Sequence, residues 1–173
     1  MGTVAIVDYG VGNLKSVANA LSYLGCSSCI TADPAELERA DAIILPGVGA
    51  FPDAADRLRS GGLDQHVLAQ GQKKPLLLEQ GREVRPCPGL GVIRGTVDRI
   101  PTQSKLPHIG WNSLRFFHHS PLFRGLDEGA YVYFVHSFSA QDTDPAQVIA
   151  ATDYGPAVTA AVSSGNFYGT QFH

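Results

Sequence analysis

Val4-Ala5-Ile6-Val7-Asp8-Tyr9-Gly10-Val11-Gly12-Asn13-Leu14 is the stretch that decides how this chain folds. Its first four residues are all apolar, a strand-length run without alternation, as a strand buried on both faces requires. Two glycines mark a turn. Beyond it Leu14, Val17, Ala18, Leu21 and Leu24 recur at helical spacing, and Gly25 ends the helix. The same alternation continues outward. Cys29-Ile30-Thr31 reads as a second strand, and Asp33-Pro34 opens a short helix with Asp33 as N-cap and Pro34 at the first position. Ala42-Ile43-Ile44-Leu45 is a third buried strand, broken by Gly47 and Gly49. Ala54, Ala55 and Leu58 suggest one helix, Leu63, Val67 and Leu68 another, and Pro75-Leu76-Leu77-Leu78 a fourth strand.

Apolar strands alternating with helices imply a parallel sheet covered on both faces. The second half is different. Trp111 to Phe116, Ala130 to His136, Val148 to Thr152, Val158 to Ser163 and Phe167 to Phe172 are strand-like, with short polar breaks. The expected class is α/β, with a largely antiparallel extension in the C-terminal half. No repeat, low-complexity tract or linker interrupts it.

The pattern fails once. A parallel strand needs a crossover of about a dozen residues, usually a helix, before the next. After Leu78 comes Glu79-Gln80-Gly81-Arg82-Glu83-Val84-Arg85-Pro86-Cys87-Pro88-Gly89, which has two prolines and no helical stripe. Either a sheet face is bare there, or residues that once followed strand four are absent.

Bulk properties exclude several functions. The 173 residues suit one domain, with 44% apolar and 17% charged residues. A net charge of −3 argues against nucleic acid and anionic membrane as partners. No apolar run approaches the ~20 residues that span a bilayer, and Met1-Gly2-Thr3 leads straight into a strand rather than a signal peptide, so a cytoplasmic location is expected. Cys26, Cys29 and Cys87 give an odd count without a disulfide framework. Cys26-Ser27-Ser28-Cys29 matches a C-x-x-C pattern but has no second pair, so small buried residues at a strand start are the expectation.

Five motifs have chemical potential. Gly10-Val11-Gly12-Asn13-Leu14-Lys15 invites comparison with a dinucleotide fingerprint, but Lys15 stands where a third glycine is needed, which leaves a glycine-dependent turn. Pro46-Gly47-Val48-Gly49-Ala50-Phe51 follows a strand with small residues whose amides could bind an oxyanion, or is a plain turn. Pro107-His108-Ile109-Gly110-Trp111-Asn112 holds the only tryptophan, expected as a buried anchor; exposure would instead indicate an interface. Tyr131 to Phe138 is apolar or aromatic at odd and even positions, which predicts a central strand ending at a satisfied core histidine, His136. The last is Gly169-Thr170-Gln171-Phe172-His173, where a terminal imidazole could serve as a general base or could simply be solvated.

Together these segments resemble one family. Asp8 to Leu14, Leu45 to Phe51, Pro107 to Asn112, Tyr133-Phe134-Val135-His136-Ser137, Ala151-Thr152-Asp153-Tyr154-Gly155 and Gly169 to His173 are similar, in order, to the glutaminase subunits of imidazole glycerol phosphate synthase. Pro-Gly-Val-Gly and Gln-Phe-His occur across the wider class I (triad) glutamine amidotransferases. The Asp-Tyr-Gly-x-Gly-Asn opening, Pro-His-x-Gly-Trp-Asn and Tyr-Phe-Val-His-Ser single out this member. The resemblance implies a doubly wound, flavodoxin-like α/β domain spanning 1–173. It implies that a cysteine on a strand-to-helix elbow attacks the glutamine amide, assisted by a histidine that a glutamate orients. Ammonia then passes to a (β/α)₈ cyclase partner in histidine biosynthesis. No metal or cofactor is implied.

On that resemblance His173 matches the catalytic histidine, and Gly47, Val48 and Gly49 the oxyanion loop. His136, Ser137 and Phe138 match the segment that holds the main-chain groups of L-glutamine, and Asn13, Pro107, Ile109 and Trp111 lie in segments that face the cyclase. Two departures stand out. The family's Gly-x-Cys-x-Gly elbow after strand four is missing near residues 77–79, where the βα pattern had already failed. The sequence also stops at His173, so no Pro-x-Glu follows. Cys87 is a poor substitute, because the next residue, Pro88, has no N–H to offer an oxyanion. The expectation is therefore a glutaminase domain without its nucleophile. The alternatives are a glutaminase of another triad amidotransferase and a non-catalytic docking subunit.

Overall fold

A computed structural model describes residues 2–47, 51–73, 76–79 and 89–173. The chain divides into two compact units, Met1–Leu90 with Gly165–Phe167, and Gly91–Ser164 with Tyr168–His173. Both are mixed α/β or β in character, and each is built differently.

The first unit is a parallel sheet with helical crossovers. β1 (Thr3–Val7) pairs in parallel with β2 (Ser27–Thr31) on one side and β3 (Ala42–Leu45) on the other, and β3 pairs in parallel with β4 (Leu76–Glu79). The crossovers are α1 (Leu14–Tyr23), α2 (Pro34–Arg39), and α3 (Phe51–Ser60) with α4 (Leu63–Gly71). Local chemistry sets the helix ends. Asn13 Oδ1 accepts from the Ser16 N–H at 3.3 Å to start α1, and Gly25, at φ 72°, follows its end. Asp33 Oδ1 accepts from the Ala35 N–H at 2.9 Å, with Pro34 opening α2 as expected. Ala5, Ile6, Val7, Leu37, Ile43, Leu58 and Val67 are buried. No residue of α1 is fully buried, and Leu24, just past its end, is exposed with its backbone N–H on the Ala20 carbonyl.

The second unit is antiparallel. β5 (Thr96–Arg99) pairs with β9 (Phe138–Gln141), and β6 (His108–Ser113) with β8 (Tyr131–His136), as two separate ribbons. β7 (Arg115–Phe116), β10 (Val148–Asp153), β11 (Ala157–Ser164) and β12 (Phe167–Thr170) run side by side in the order β12-β11-β10-β7. Leu114, Phe123, Phe134, Ile149, Ala150, Ala160 and Ala161 form its core, with Phe116 and Phe172 packed against it.

Three expectations change. The strand foreseen from Trp111 to Phe116 begins at His108 and is interrupted at Leu114, which turns inward. The stretch from Tyr131 to Phe138 is not one central strand. It breaks at Ser137 into β8 and β9, and β8 belongs to a two-stranded ribbon. β5 was not foreseen, since Thr96-Val97-Asp98-Arg99 carries one apolar side chain and no alternation. The segment that should follow β4, with Cys87, lies outside the described residues.

Candidate active-site segments and an exposed apolar ribbon

In an antiparallel pair, residues directly opposite share a face, and the faces alternate along each strand. In the β6–β8 ribbon His108 faces His136, Gly110 faces Phe134, and Asn112 faces Val132. This is the inner face, and Phe134 is fully buried on it. The outer face carries Ile109 opposite Val135, Trp111 opposite Tyr133, and Ser113 opposite Tyr131. Trp111 is 69% exposed, Tyr131 68%, Ile109 57% and Val135 47%. Trp111 is therefore not the buried anchor expected on spacing alone. Its ring meets that of Tyr133 edge-on at 5.7 Å, so the apolar surface is contiguous. Pro107, beside it in sequence, is also exposed.

The inner face holds an aromatic stack built around His108. Its ring lies 3.9 Å from that of Tyr154 and 4.8 Å from that of Phe134, both near parallel. The Tyr154 hydroxyl donates to the Lys105 carbonyl at 2.6 Å, which fixes that ring. Asn112 Nδ2 donates to the Asp153 carbonyl at 2.9 Å and lies 3.4 Å from His108 Nε2. Since that amide nitrogen can only donate, His108 Nε2 is an acceptor and Nδ1 carries the proton. His136 Nδ1 lies 2.8 Å from the Phe138 carbonyl. A carbonyl can only accept, so His136 is protonated at Nδ1 as well.

Burial, and then the neighbouring His136, lowers the pKa of His108 from 6.5 to about 4. Burial also lowers that of His136; its hydrogen bond to Phe138 acts in the opposite sense, and His173 lowers it further. Both rings are thus neutral at pH 7. His173 follows Phe172, which meets Phe134 edge-on at 6.1 Å. The His173 side chain is exposed, while its backbone N–H donates to the Tyr133 carbonyl at 2.9 Å. So β8 brings His136 and His173 together. Ser137 and Phe138 continue from it, and the Ser137 carbonyl accepts from the Ile100 N–H at 3.0 Å.

In the first unit the glycine turn packs against the residues after β3. The Tyr9 hydroxyl donates to the Pro46 carbonyl at 2.5 Å, and Arg57 Nη1 donates to the Gly10 carbonyl at 3.0 Å. A Cβ on Gly12, whose φ is 103°, would stand 3.0 Å from Pro46 Cβ. These contacts account for the glycines without a dinucleotide. Asn13, the α1 cap, is exposed, and Gly47 is half-buried. Val48 and Gly49 lie outside the described residues. Cys26 and Cys29 are free thiols, half-exposed rather than buried. Among the described residues no cluster of His, Cys, Asp and Glu is suited to a metal ion, and no helix is long and apolar enough to cross a membrane.

His108 is the residue that sequence reasoning passed over. Its signal was present: a histidine and an aromatic at like positions of two strands whose registers had yet to be matched.

Comparison with known proteins adds three findings. The class-I glutamine amidotransferase family model matches residues 5–173. The chain is 42% identical to imidazole glycerol phosphate synthase subunit HisH of Oceanobacillus iheyensis, an alignment covering 98% of this chain and 90% of that one. It is 41% identical to the Bacillus cereus subunit of the same name, covering 98% and 86%. Both alignments run over 180 residues against the 173 of this chain, so at least seven positions have no counterpart here. Solved structures of similar fold include a putative GMP synthase subunit from Thermoplasma acidophilum, with TM-score 0.72, 19% identity, and coverage of 100% of this chain and 84% of that one. Another is PurLQS from Thermotoga maritima, with TM-score 0.73, 18% identity, and coverage of 100% and 88%.

Proposed function

The chain belongs to the class-I glutamine amidotransferase family, and from that premise we propose that it is the glutaminase subunit of an imidazole glycerol phosphate synthase. One observation carries the assignment beyond the family: the outward face of the β6–β8 ribbon, with Ile109 and Trp111 in solvent. A contiguous aromatic and aliphatic patch of this kind marks a protein interface. The occupant in this reading is the (β/α)₈ cyclase subunit, which Pro107 beside the patch and, by the family resemblance, Asn13 also face.

In this reading 1–173 is one amidotransferase domain of doubly wound, flavodoxin-like type. The parallel order β2-β1-β3-β4 and the family match over 5–173 support it. His173 is the acid–base histidine. Gly47, Val48 and Gly49 supply oxyanion amides, and His136, Ser137 and Phe138 hold the main-chain groups of L-glutamine. The complete site releases glutamate and passes ammonia to the cyclase, whose lyase reaction yields imidazole glycerol phosphate in the cytoplasm during histidine biosynthesis.

The nucleophile is the missing part. A glutaminase of this class forms a thioester on an elbow cysteine. No Gly-x-Cys-x-Gly follows Leu78, and the unmatched positions in the alignments support a segment lost from within the chain. The same observation favours a second reading, a docking subunit that binds the cyclase without cleaving glutamine. The test is to mix the chain with the cyclase and, separately, with the synthases of other triad amidotransferases. A stable complex with the cyclase alone supports the assignment. Binding only to another synthase overturns it.

A further inference from the structure

Two buried ring nitrogens in the second unit are left over after every hydrogen bond among the described residues is assigned: His108 Nδ1 and His136 Nε2. Their tautomers make them opposites. His108 Nδ1 bears a proton, because its Nε2 takes the Asn112 amide. His136 Nε2 bears a lone pair, because its Nδ1–H goes to Phe138. The two residues are directly opposite in the β6–β8 register, with ring centres 5.3 Å apart. A buried donor or acceptor without a partner costs about 1–3 kcal/mol. Two such groups side by side with opposite character therefore point to a common partner. One water molecule, accepting from His108 and donating to His136, satisfies both.

We propose that His108 and His136 form a tautomer-locked pair closed by one ordered water, which makes His108 a positioning residue for the His136-Ser137-Phe138 corner. Its role in catalysis rests on the reading of that corner as the glutamine seat. Tyr154 and Phe134 clamp the His108 ring from either side. Clamped, it presents its N–H in a fixed direction. His136, held by that N–H through the water, keeps its own N–H on the Phe138 carbonyl and so fixes the bend between β8 and β9. Among the described residues the pair has Tyr154 stacked on His108 and His173 acting on His136, and the influence of His173 disfavours an imidazolium.

The test is long-range proton–nitrogen correlation NMR on protein labelled at histidine nitrogen, which needs no enzymatic turnover. The wild type should show both rings as the Nδ1–H tautomer, with the His136 Nε2 signal shifted as a hydrogen-bond acceptor. His108→Phe keeps the stacked ring and removes the donor, so the His136 midpoint should rise by about half to one pH unit. The Ser137 and Phe138 amide signals should move with it. His108→Asn restores an N–H near the original Nδ1 and should return both towards wild type. An Nε2–H tautomer at His136, or a His136 midpoint equal in wild type and both variants, overturns the proposal. Should the Phe variant fail to fold, the wild-type tautomers and the Asn variant decide alone. L-Glutamine added last separates the two readings. If it leaves the Ser137 and Phe138 amides unmoved while the tautomers are as expected, the glutamine seat fails and the pair stands.

Discussion

The backbone N–H of His173 donates to the Tyr133 carbonyl at 2.9 Å. The ring of Tyr133, meanwhile, meets Trp111 edge-on on the opposite, solvent-facing side of the same ribbon. One strand, β8, thus carries exposed apolar side chains on its outer side and holds the backbone of the candidate acid–base residue. Trp111 on β6 is one ring contact away from Tyr133, the β8 residue whose carbonyl holds the His173 backbone.

Trp111→Ala should weaken the complex with the cyclase by about 30-fold or more, the loss expected of an interface tryptophan worth ~2 kcal/mol. The side chain is 69% exposed, so the isolated chain should keep its stability to within about 0.5 kcal/mol. Calorimetric titration of the cyclase and urea unfolding of the free variant measure the two effects separately.

Phe134→Ala should behave in the reverse way. Phe134 is fully buried and touches His108, His136 and Phe172. Removing it leaves a cavity beneath the ribbon and should cost about 3–5 kcal/mol in chemical denaturation. Loss of partner binding would follow only as a consequence of unfolding.

Gly12→Ala should destabilise the first unit by about 1–3 kcal/mol. The backbone there has φ 103°, and the added Cβ would press on Pro46 at 3.0 Å. Gly25→Ala, at φ 72° with open space around it, should cost less. Comparing urea midpoints of the two variants separates backbone strain from the Pro46 contact.

Acid should destabilise the second unit in a defined window. His108 titrates near pH 4 when folded, against an ordinary value of 6.5. Between those values the unfolded chain binds a proton that the folded chain does not, so the folded form loses stability as pH falls. Above pH 6.5 both forms are neutral and the effect is absent. His136, also lowered, adds in the same direction. His108→Phe should flatten the dependence of the unfolding midpoint on pH between 6.5 and 4. An equally steep slope in the variant would refute the assignment of the slope to His108.

Much of the fold was legible in the residues. The run Val4 to Val7 with its glycine turn and the Leu14–Leu21 stripe gave β1 and α1, and Asp33-Pro34 gave the start of α2. The reason is physical: continuous apolar runs and side-chain caps act locally. The β6–β8 ribbon was harder. Tyr131, Tyr133 and Val135 are as apolar as Val132 and Phe134, so no alternation marked which side was inside. A strand that is apolar on both faces cannot be told from a core strand by composition. Among the site residues, His136 and His173 come together on β8. His108 became visible only when the register set it opposite His136.

The most direct measurement of the central claim is glutamate release from L-glutamine by the chain mixed with the cyclase subunit. It is made once on the 173-residue sequence and once with both family parts restored, the Gly-x-Cys-x-Gly elbow with its helix after Leu78 and a Pro-x-Glu after His173. Loss of a single oxyanion donor already costs about 10²–10³ in rate, and loss of the nucleophile should cost more. The account predicts no release above background from the sequence as it stands and clear release once both parts are present. Steady glutamate production without them, at a rate their restoration does not raise, would contradict it.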